Sequence, residues 1–462
     1  MQQKIRRDYY LRIDPKSVDS RACSDAKAIY INGCEKMRRA LSISLVCCLL
    51  PIASAVSAAE LTKVEQQIVT YVDQRLEAAI DLLARTVNIP SATKNHEGIK
   101  RLADVYATEL KELGFETRWI DQTEVGRAGH FFAERRGSKG KRLLLIGHLD
   151  TLLQDEPFRR EGQKAYGSGS SDMKGGNLIA IEALRALHAN GALEDRQVIV
   201  FFTGDEEYAG KPYEKSRAEL IDAAKRSDIA LAFEGYSPGT AVTGRRGFSM
   251  WRLDVTGSRG HSSSIFGEGR GSGAVFEAAR ILSAFHDEVR EPYLTFNPSV
   301  IVGGTEVNFD PLTFTGNAMG RATVVPQSVV SMGDMRFLSG DQLNRAREKM
   351  RAIVAKSLPK TSAAISFIDG MPGMEPTDGN RALLATLDRV SLDLGTGPIT
   401  AHDPSKRGAG DVSFVATIVP GLDGLGSLGG NEHAPGEWVN LDEQPPLTKR
   451  SALLMHRLMD GK

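Results

Sequence analysis

The chain has 462 residues, which is too long for one compact core and predicts two or three structural units. Its composition, with 41% hydrophobic and 25% charged residues, is typical of a soluble globular protein. Lysine plus arginine and aspartate plus glutamate each total 58, so the formal net charge is zero and argues against a broad basic surface for nucleic acid.

The N-terminal region contains a predicted targeting segment. From Met37 the chain reads MRRALSISLVCCLLPIASAVSAAE, in which two arginines precede an apolar run and small residues that fit a cleavage site after Ala58. We interpret residues 1–58 as an N-terminal extension and signal peptide, with Met37 as the true start and a periplasmic or secreted product. A membrane anchor is the alternative, although the apolar run is short for a span, and we expect no stable span after signal removal.

Residues 59–243 alternate between helical and strand patterns. Helical periodicity occurs in LTKVEQQIVTYVDQRLEAAIDLLARTV, GIKRLADVYATELKELGF and GGNLIAIEALRALHANGAL. Strands are predicted at ETRWI and GHFFAERRG, and the apolar runs KRLLLIGHLD, QVIVFFTGDEE and DIALAFEG are typical of strands buried on both faces. This alternation predicts an α/β domain with a mainly parallel sheet between layers of helices.

The pattern changes near residue 244. Between 244 and 370 the predicted order is β-α-β-β-α-β, which is the order of a ferredoxin-like α+β domain. Its first strand, GFSMWRLDVTG, alternates as a half-exposed antiparallel strand does. Helical patterns return in RALLATLDRVSLDLG and LTKRSALLMHRLMD within 371–462. We therefore predict an α/β catalytic domain in two parts, 59–243 and 371–462, interrupted by an inserted lid and dimerisation domain.

Acidic residues and histidines follow several of the apolar or glycine-rich segments. In chain order they are His148 and Asp150, then Asp205, Glu206 and Glu207, then Glu234, and finally Glu432 and His433. Sites in parallel α/β sheets form outside the carboxyl ends of the strands, and three consecutive carboxylates are costly to bury without cations. All four cysteines lie in the first 48 residues, so a metal in the rest of the chain must be held by His, Asp and Glu.

Two shorter motifs support a metal centre. His148 and Asp150 lie two residues apart on an extended chain and face the same way, so one can bind a metal while the other orients the imidazole. A surface pair is the alternative for this motif alone. Asp172 lies within the glycine-rich loop GSGSSDMKGGN before a helix, where a phosphate cradle is the alternative. A carboxylate at the centre of that loop would repel phosphate unless a metal lay between them.

Five segments, GHLDT, GSGSSDMKGG, GDEE, AFEG and GGNEHAPGEWV, occur here in an order that is known from one family. In these motifs the chain resembles the di-zinc metallohydrolases that include aminoacylase, acetylornithine deacetylase, succinyl-diaminopimelate desuccinylase and glutamate carboxypeptidase. The similarity covers most of residues 60–460. It implies hydrolysis of an amide bond in a peptide or N-acyl amino acid, two zinc ions per chain with cobalt or manganese as substitutes, and a homodimer formed through the lid.

The resemblance also implies a role for individual residues. Asp172 would bridge the two zinc ions and be followed by a cis peptide bond to Met173. The remaining ligands would be His148 and Glu234 at one ion, and Glu207 and His433 at the other. Glu206 would act as the general base, and Asp150 would orient His148.

Two lid residues are candidate substrate contacts. His261, in VTGSRGHSSS, fits a surface loop histidine on composition alone, but the resemblance implies that it reaches substrate, often in the active site of the dimer partner. Arg336, in GDMRF, could bind a substrate carboxylate, and a salt bridge within the lid is the alternative. Met371 stands in GMP where glutamate carboxypeptidase has arginine, which weakens the expectation of a C-terminal glutamate substrate.

Three functions are compatible with these observations. We favour an exported di-zinc amidohydrolase of peptidase or deacylase type. The first alternative is a non-catalytic metal- or peptide-binding protein on the same scaffold, although such a protein would need no general base at Glu206. The second is a metallophosphoesterase that uses the Asp172 loop.

Overall fold

The computed structural model of the chain describes residues 60–153 and 156–461. The predicted signal peptide and start residue lie outside the described residues. None of the described helices is both long and apolar enough to cross a membrane. The α-helices in these ranges are α1 (Lys63–Gln74), α2 (Leu76–Val87), α3 (His96–Lys111), α4 (Gly176–Ala189), α5 (Tyr213–Ser216), α6 (Ala218–Lys225), α7 (Gly273–Glu288), α8 (Gly340–Val354), α9 (Asp378–Asp393) and α10 (Gln444–Asp460).

The strands form two larger sheets, a third small sheet and two strand pairs. They are β1 (Glu116–Asp121), β2 (Gly129–Arg135), β3 (Lys139–His148), β4 (Arg159–Glu161), β5 (Lys164–Tyr166), β6 (Arg196–Thr203), β7 (Ile229–Ala232), β8 (Thr240–Ala241), β9 (Gly247–Gly257), β10 (Thr295–Gly304), β11 (Glu306–Asp310), β12 (Thr315–Met319), β13 (Ser328–Phe337), β14 (Thr361–Asp369), β15 (Thr400–Ala401), β16 (Gly421–Leu422), β17 (Gly429–Gly430) and β18 (Trp438–Asn440).

The six-stranded sheet has the order β1-β2-β6-β3-β7-β16. Strand β3 pairs in parallel with β6 and β7, and β7 pairs in parallel with β16. At the other edge β1, β2 and β6 pair antiparallel, so the sheet is mixed rather than wholly parallel. The short connection at 122–128 accounts for the antiparallel β1–β2 pair, because a parallel crossover needs a longer connection.

Alternate residues of the central strand pack on opposite faces of this sheet. Leu143 and Leu145 of β3 join a buried cluster that includes residues of α1 to α4, α9 and α10. Leu144 and Ile146 join a second cluster with residues of α6 and the segment 412–419. The sheet therefore has an apolar layer on each face, and its strand ends remain available for a site.

A second, four-stranded antiparallel sheet is formed by residues 247–369, in the order β10-β13-β9-β14. Helices α7 and α8 pack on it, and Trp251, Phe285 and Met350 belong to its separate hydrophobic cluster. The chain order of these elements is the predicted β-α-β-β-α-β order, with an additional hairpin, β11–β12. The two chain crossings that flank the sheet lie side by side, because Arg245 and Met374 exchange two backbone hydrogen bonds of 2.9 Å.

Candidate metal centre

Three neighbouring parallel strands carry candidate ligands at or just beyond their carboxyl ends. His148 is the last residue of β3, Glu206 and Glu207 follow β6, and Glu234 follows β7. Two loops complete the group. The loop Ser170–Gly175 brings in Asp172 before α4, with a cis Asp172–Met173 peptide bond as the resemblance implied. The segment between β17 and β18 brings in His433.

The carboxylate of Asp172 lies between two imidazoles. Its Oδ1 is 3.0 Å from Nε2 of His148, and its Oδ2 is 3.0 Å from Nε2 of His433. Glu234 Oε1 is 3.8 Å from the same nitrogen of His148, and Glu207 Oε2 is 3.1 Å from the same nitrogen of His433. The five side chains thus form two groups of three that share Asp172, which is the division implied by the resemblance.

The electrostatics of this cluster indicate a shortage of positive charge. Hydrogen bonds to Asp172 and Glu207 raise the pKa of His433 to about 11. Burial lowers the pKa of His148, but hydrogen bonds to Asp150 and Asp172 outweigh it and raise that pKa well above its ordinary value. Burial and the nearby Asp172 raise the pKa of Glu234 to about 8. A negative potential that favours protons on both imidazoles and carboxylates also favours metal cations.

The donor atoms present suit a transition metal. One atom each from His148, Asp172 and Glu207 lie within 4.8 Å of one another, so the two groups that share Asp172 lie close together. Imidazole nitrogen and carboxylate oxygen are ligands of zinc, and three protein ligands at each ion would leave a position for water or substrate. The residues present therefore fit a pair of metal ions on chemical grounds.

Asp150 supports the cluster in two ways. Its main-chain carbonyl lies 2.9 Å from Nδ1 of His148, whereas its carboxylate is 3.6 Å from the same atom. A proton on Nδ1 that is donated to this carbonyl leaves Nε2, the nitrogen beside Asp172, as the atom that could bind a metal. The Asp150 carboxylate accepts hydrogen bonds from Thr93 Oγ1 at 2.7 Å and from the backbone N–H groups of Glu206 and Glu207 at 2.9 and 3.2 Å. It thus fixes the turn that carries both glutamates.

Glu437 holds the loop of Asp172, and sequence reasoning did not single it out. Its carboxylate accepts backbone N–H bonds from Gly169 at 2.7 Å, and from Ser171 and Asp172 at 2.8 Å. Burial raises the pKa of Glu437 to about 7 although these three bonds favour its ionised form. The only available signal was its place in the GGNEHAPGEWV motif.

The two lid candidates have local partners. His261 is exposed, and its Nδ1 lies 2.8 Å from Ser263 Oγ. Arg336 donates from Nε to Asp334 at 3.0 Å and lies over the ring of Phe248, 4.6 Å from its centroid. In the part of the chain that the structure describes, neither residue forms a hydrogen bond or ion pair with the cluster around Asp172.

The family follows from a comparison with known proteins. Residues 144–457, well over half of the chain, match peptidase family M20/M25/M40. The chain belongs to this family.

Similarity to individual M20 relatives extends over nearly their whole length. The chain is 27% identical over 396 residues to carboxypeptidase G2 of Pseudomonas sp. (strain RS-16), covering 83% of this chain and 90% of the relative. It is 25% identical over 384 residues to acetylornithine deacetylase of Proteus mirabilis (strain HI4320), covering 79% of this chain and 93% of the relative.

Among solved structures, the fold is similar to that of the YXEP protein of Bacillus subtilis, described as a dinuclear metal binding peptidase from the M20 family. The TM-score is 0.56 at 13% identity, with 84% of this chain and 99% of the other covered. Together with family membership, these relatives identify the chain as a hydrolase of metallopeptidase type.

In this M20 chain Asp205, the first of the three consecutive carboxylates after β6, faces away from the cluster. Asp205 is fully buried and pairs with Arg217, whose Nη1 is 2.7 Å from Asp205 Oδ1. The other oxygen of Asp205 accepts the Gly210 N–H at 2.7 Å, and Arg217 also donates from Nε to Asp411 at 2.8 Å. This buried ion pair accounts for the tolerance of three adjacent carboxylates after β6, because only two of them face the centre.

Proposed function

We propose that this M20 member is a two-zinc amidohydrolase that cleaves an amide bond in a small peptide or an N-acyl amino acid. The observation that carries the proposal is the Asp172 carboxylate, which each of two ligand groups shares through a different oxygen. The relatives named as a carboxypeptidase and a deacetylase both support an amide substrate. No feature of the described residues specifically favours a phosphoesterase or a non-catalytic protein.

The ligand sets follow from the two groups. His148, Asp172 and Glu234 would hold one ion, and Asp172, Glu207 and His433 would hold the other. When bound, two zinc ions supply Lewis acidity to a water molecule and to the carbonyl of the scissile amide. The protein fixes the approach of its own ligands through the Asp150 carbonyl behind His148 and the Glu437 carboxylate behind Asp172.

Glu206 would move the protons. Desolvation, followed by the charge of Glu234, raises the pKa of Glu206 well above its ordinary value. Its carboxylate has no hydrogen-bond or ion-pair partner within the described ranges, whereas its backbone N–H is held by Asp150. A free carboxylate of raised pKa in this place can accept a proton from water at Oε and return it to the leaving amine.

We also propose that residues 244–370 act as a lid, that chains pair through it, and that the protein acts after export. The separate hydrophobic cluster of this region and its two chain crossings support a semi-independent domain. Export rests on the sequence pattern from Met37 to Ala58. N-terminal sequencing of protein recovered from the periplasm or the medium tests export, and a mature protein that retains residues 37–58 would contradict it.

The central proposal is tested by metal content and substrate hydrolysis together. Protein purified without chelator should contain about two zinc ions per chain, with cobalt or manganese as substitutes. The zinc-loaded protein should hydrolyse members of a panel of dipeptides and N-acyl amino acids but not nitrophenyl phosphate. Absence of bound transition metal would refute the metal centre, and bound metal without hydrolysis of any panel member would indicate a binding protein.

A further inference from the structure

A cavity of about 440 Å³ lies next to the proposed metal centre. Gly235, which directly follows Glu234, and Glu432, which directly precedes His433, contribute to its wall. The loop between β15 and the segment that contains Asp411 also lines the cavity, through Lys406 and Arg407. A substrate bound at the metal centre could therefore extend directly into this space.

Arg407 presents a fixed cation to the cavity. Its Nη2 donates to the carbonyl of Gly235 and lies 3.4 Å from Ser237 Oγ, which holds the guanidinium against the segment that follows Glu234. Its Nε and Nη1 have no hydrogen-bond partner among the residues described. A guanidinium has five N–H donors in a planar fork, so this one retains donors for a further acceptor.

Lys406 adds a second positive charge. Its side chain is exposed, and its ammonium forms no hydrogen bond or ion pair with any described residue. His402 also lines the cavity, and burial together with the charges of Arg407 and Lys406 lowers its pKa, so it is neutral near pH 7. Glu432 is the acidic lining residue, and its Oε1 already accepts a hydrogen bond of 3.2 Å from Ser171 Oγ.

We propose that this cavity binds a carboxylate of the substrate through Arg407 and Lys406 while the scissile amide lies at the metal centre. The inference rests on the proposed function and narrows its substrates to N-acyl amino acids or peptides that carry a free carboxylate. Carboxylates match the guanidinium fork in shape and charge. Arg336 forms an ion pair with Asp334, and position 371 is methionine, so the loop at 406–407 supplies two further cations beside the metal centre.

The test compares three probes that differ in charge: N-acetylglutamate, N-acetylalanine and N-acetylalaninamide. In zinc-loaded Arg407→Gln and Lys406→Gln, we expect KM for N-acetylglutamate, for N-acetylalanine, or for both to rise about tenfold or more. Hydrogen bonds to charged groups are stronger than those between neutral groups. KM for the neutral amide should stay unchanged. Arg407→Lys should recover part of the loss. Lys111→Gln, which removes an exposed charge at the end of α3, is the matched control and should have no effect.

The two acids distinguish the source of the carboxylate. A rise in KM confined to N-acetylglutamate assigns the cavity to a side-chain carboxylate, and a rise for both acids assigns it to the main-chain carboxylate. Equal effects on the acids and the amide, or unchanged KM for all three, would overturn the inference. If no probe is hydrolysed, the proposed function fails for this substrate class. Calorimetric titration of N-acetylglutamate then decides separately: weaker binding to Arg407→Gln than to wild type supports the cavity, and equal binding refutes it.

Discussion

Glu206 and Glu207 are neighbours in the chain, but their carboxylates have different surroundings. Glu207 contacts His433 at 3.1 Å, whereas Glu206 has no side-chain partner in the described part of the chain. We expect Glu206→Gln to retain both metals and to lose about 10²- to 10⁴-fold in kcat, because an amide cannot accept the proton. Steady-state kinetics and elemental analysis of the same preparation check this. Loss of metal together with activity would show that Glu206 is a ligand.

Glu207→Gln, unlike Glu206→Gln, should lose bound metal. Its carboxylate and Asp172 both contact His433, so replacing it removes one ligand from one of the two groups. We expect metal content to fall from about two ions to about one per chain, while the ion at the other group stays bound. Zinc titration followed by elemental analysis measures this. A variant that binds metal as wild type does would exclude Glu207 from the ligand set.

At this scale the sequence located the residues better than their supporting contacts. The five side chains of the cluster, Asp172 included, could be selected because each follows a strand or lies in a distinctive motif. The role of Glu437 could not, because a carboxylate that accepts three backbone N–H groups depends on the path of a loop 265 residues earlier in the chain. The same holds for Asp150, whose main-chain carbonyl rather than carboxylate lies nearest to His148.

Among the elements, the segment after β6 depends on a buried ion pair. Arg217, directly before α6, is fully buried between Asp205 and Asp411. We expect Arg217→Met to lower the free energy of unfolding by about 3–5 kcal/mol, because it leaves two buried carboxylates without a cation. Denaturant unfolding measures the change. Arg226→Met is the control, since Arg226 pairs with Glu134 but is 37% exposed and should cost at most about 1 kcal/mol. Equal losses in the two variants would contradict the argument.

Element prediction succeeded where periodicity was long and failed where it was short. Strand β9 alternates between buried and half-buried residues along most of its length, as its sequence predicted. The sheet β17-β18-β5-β4 was not predicted, because strands of two or three residues carry no measurable period. In the apolar stretch TVVPQSVVSMGDMRF, strand β13 begins only at Ser328, beyond Pro326, which has no N–H for the sheet.

At the scale of the whole molecule, the proposed lid raises the question of how His261 reaches a substrate. Its hydrogen bonds are to Ser263 and Ser264 within its own loop. The crossings at Arg245 and Met374 are hydrogen-bonded to each other, so they would move as a pair if the domain closes. For the proposed substrate contact, His261 would approach through closure of its own lid or would act in the site of a second chain.

The last prediction separates these routes. His261→Ala should retain wild-type metal content and lose about 10²-fold in kcat, as expected when one donor to a developing oxyanion is removed. His286→Ala is the control, because His286 is an exposed histidine of the same domain, paired with Asp287. If the site is shared between chains, mixing His261→Ala with Glu206→Gln under subunit exchange should restore activity, since one site of each mixed dimer then has both residues. Mixed dimers without recovery would place the whole site in one chain, and full activity of His261→Ala would remove the residue from the chemistry.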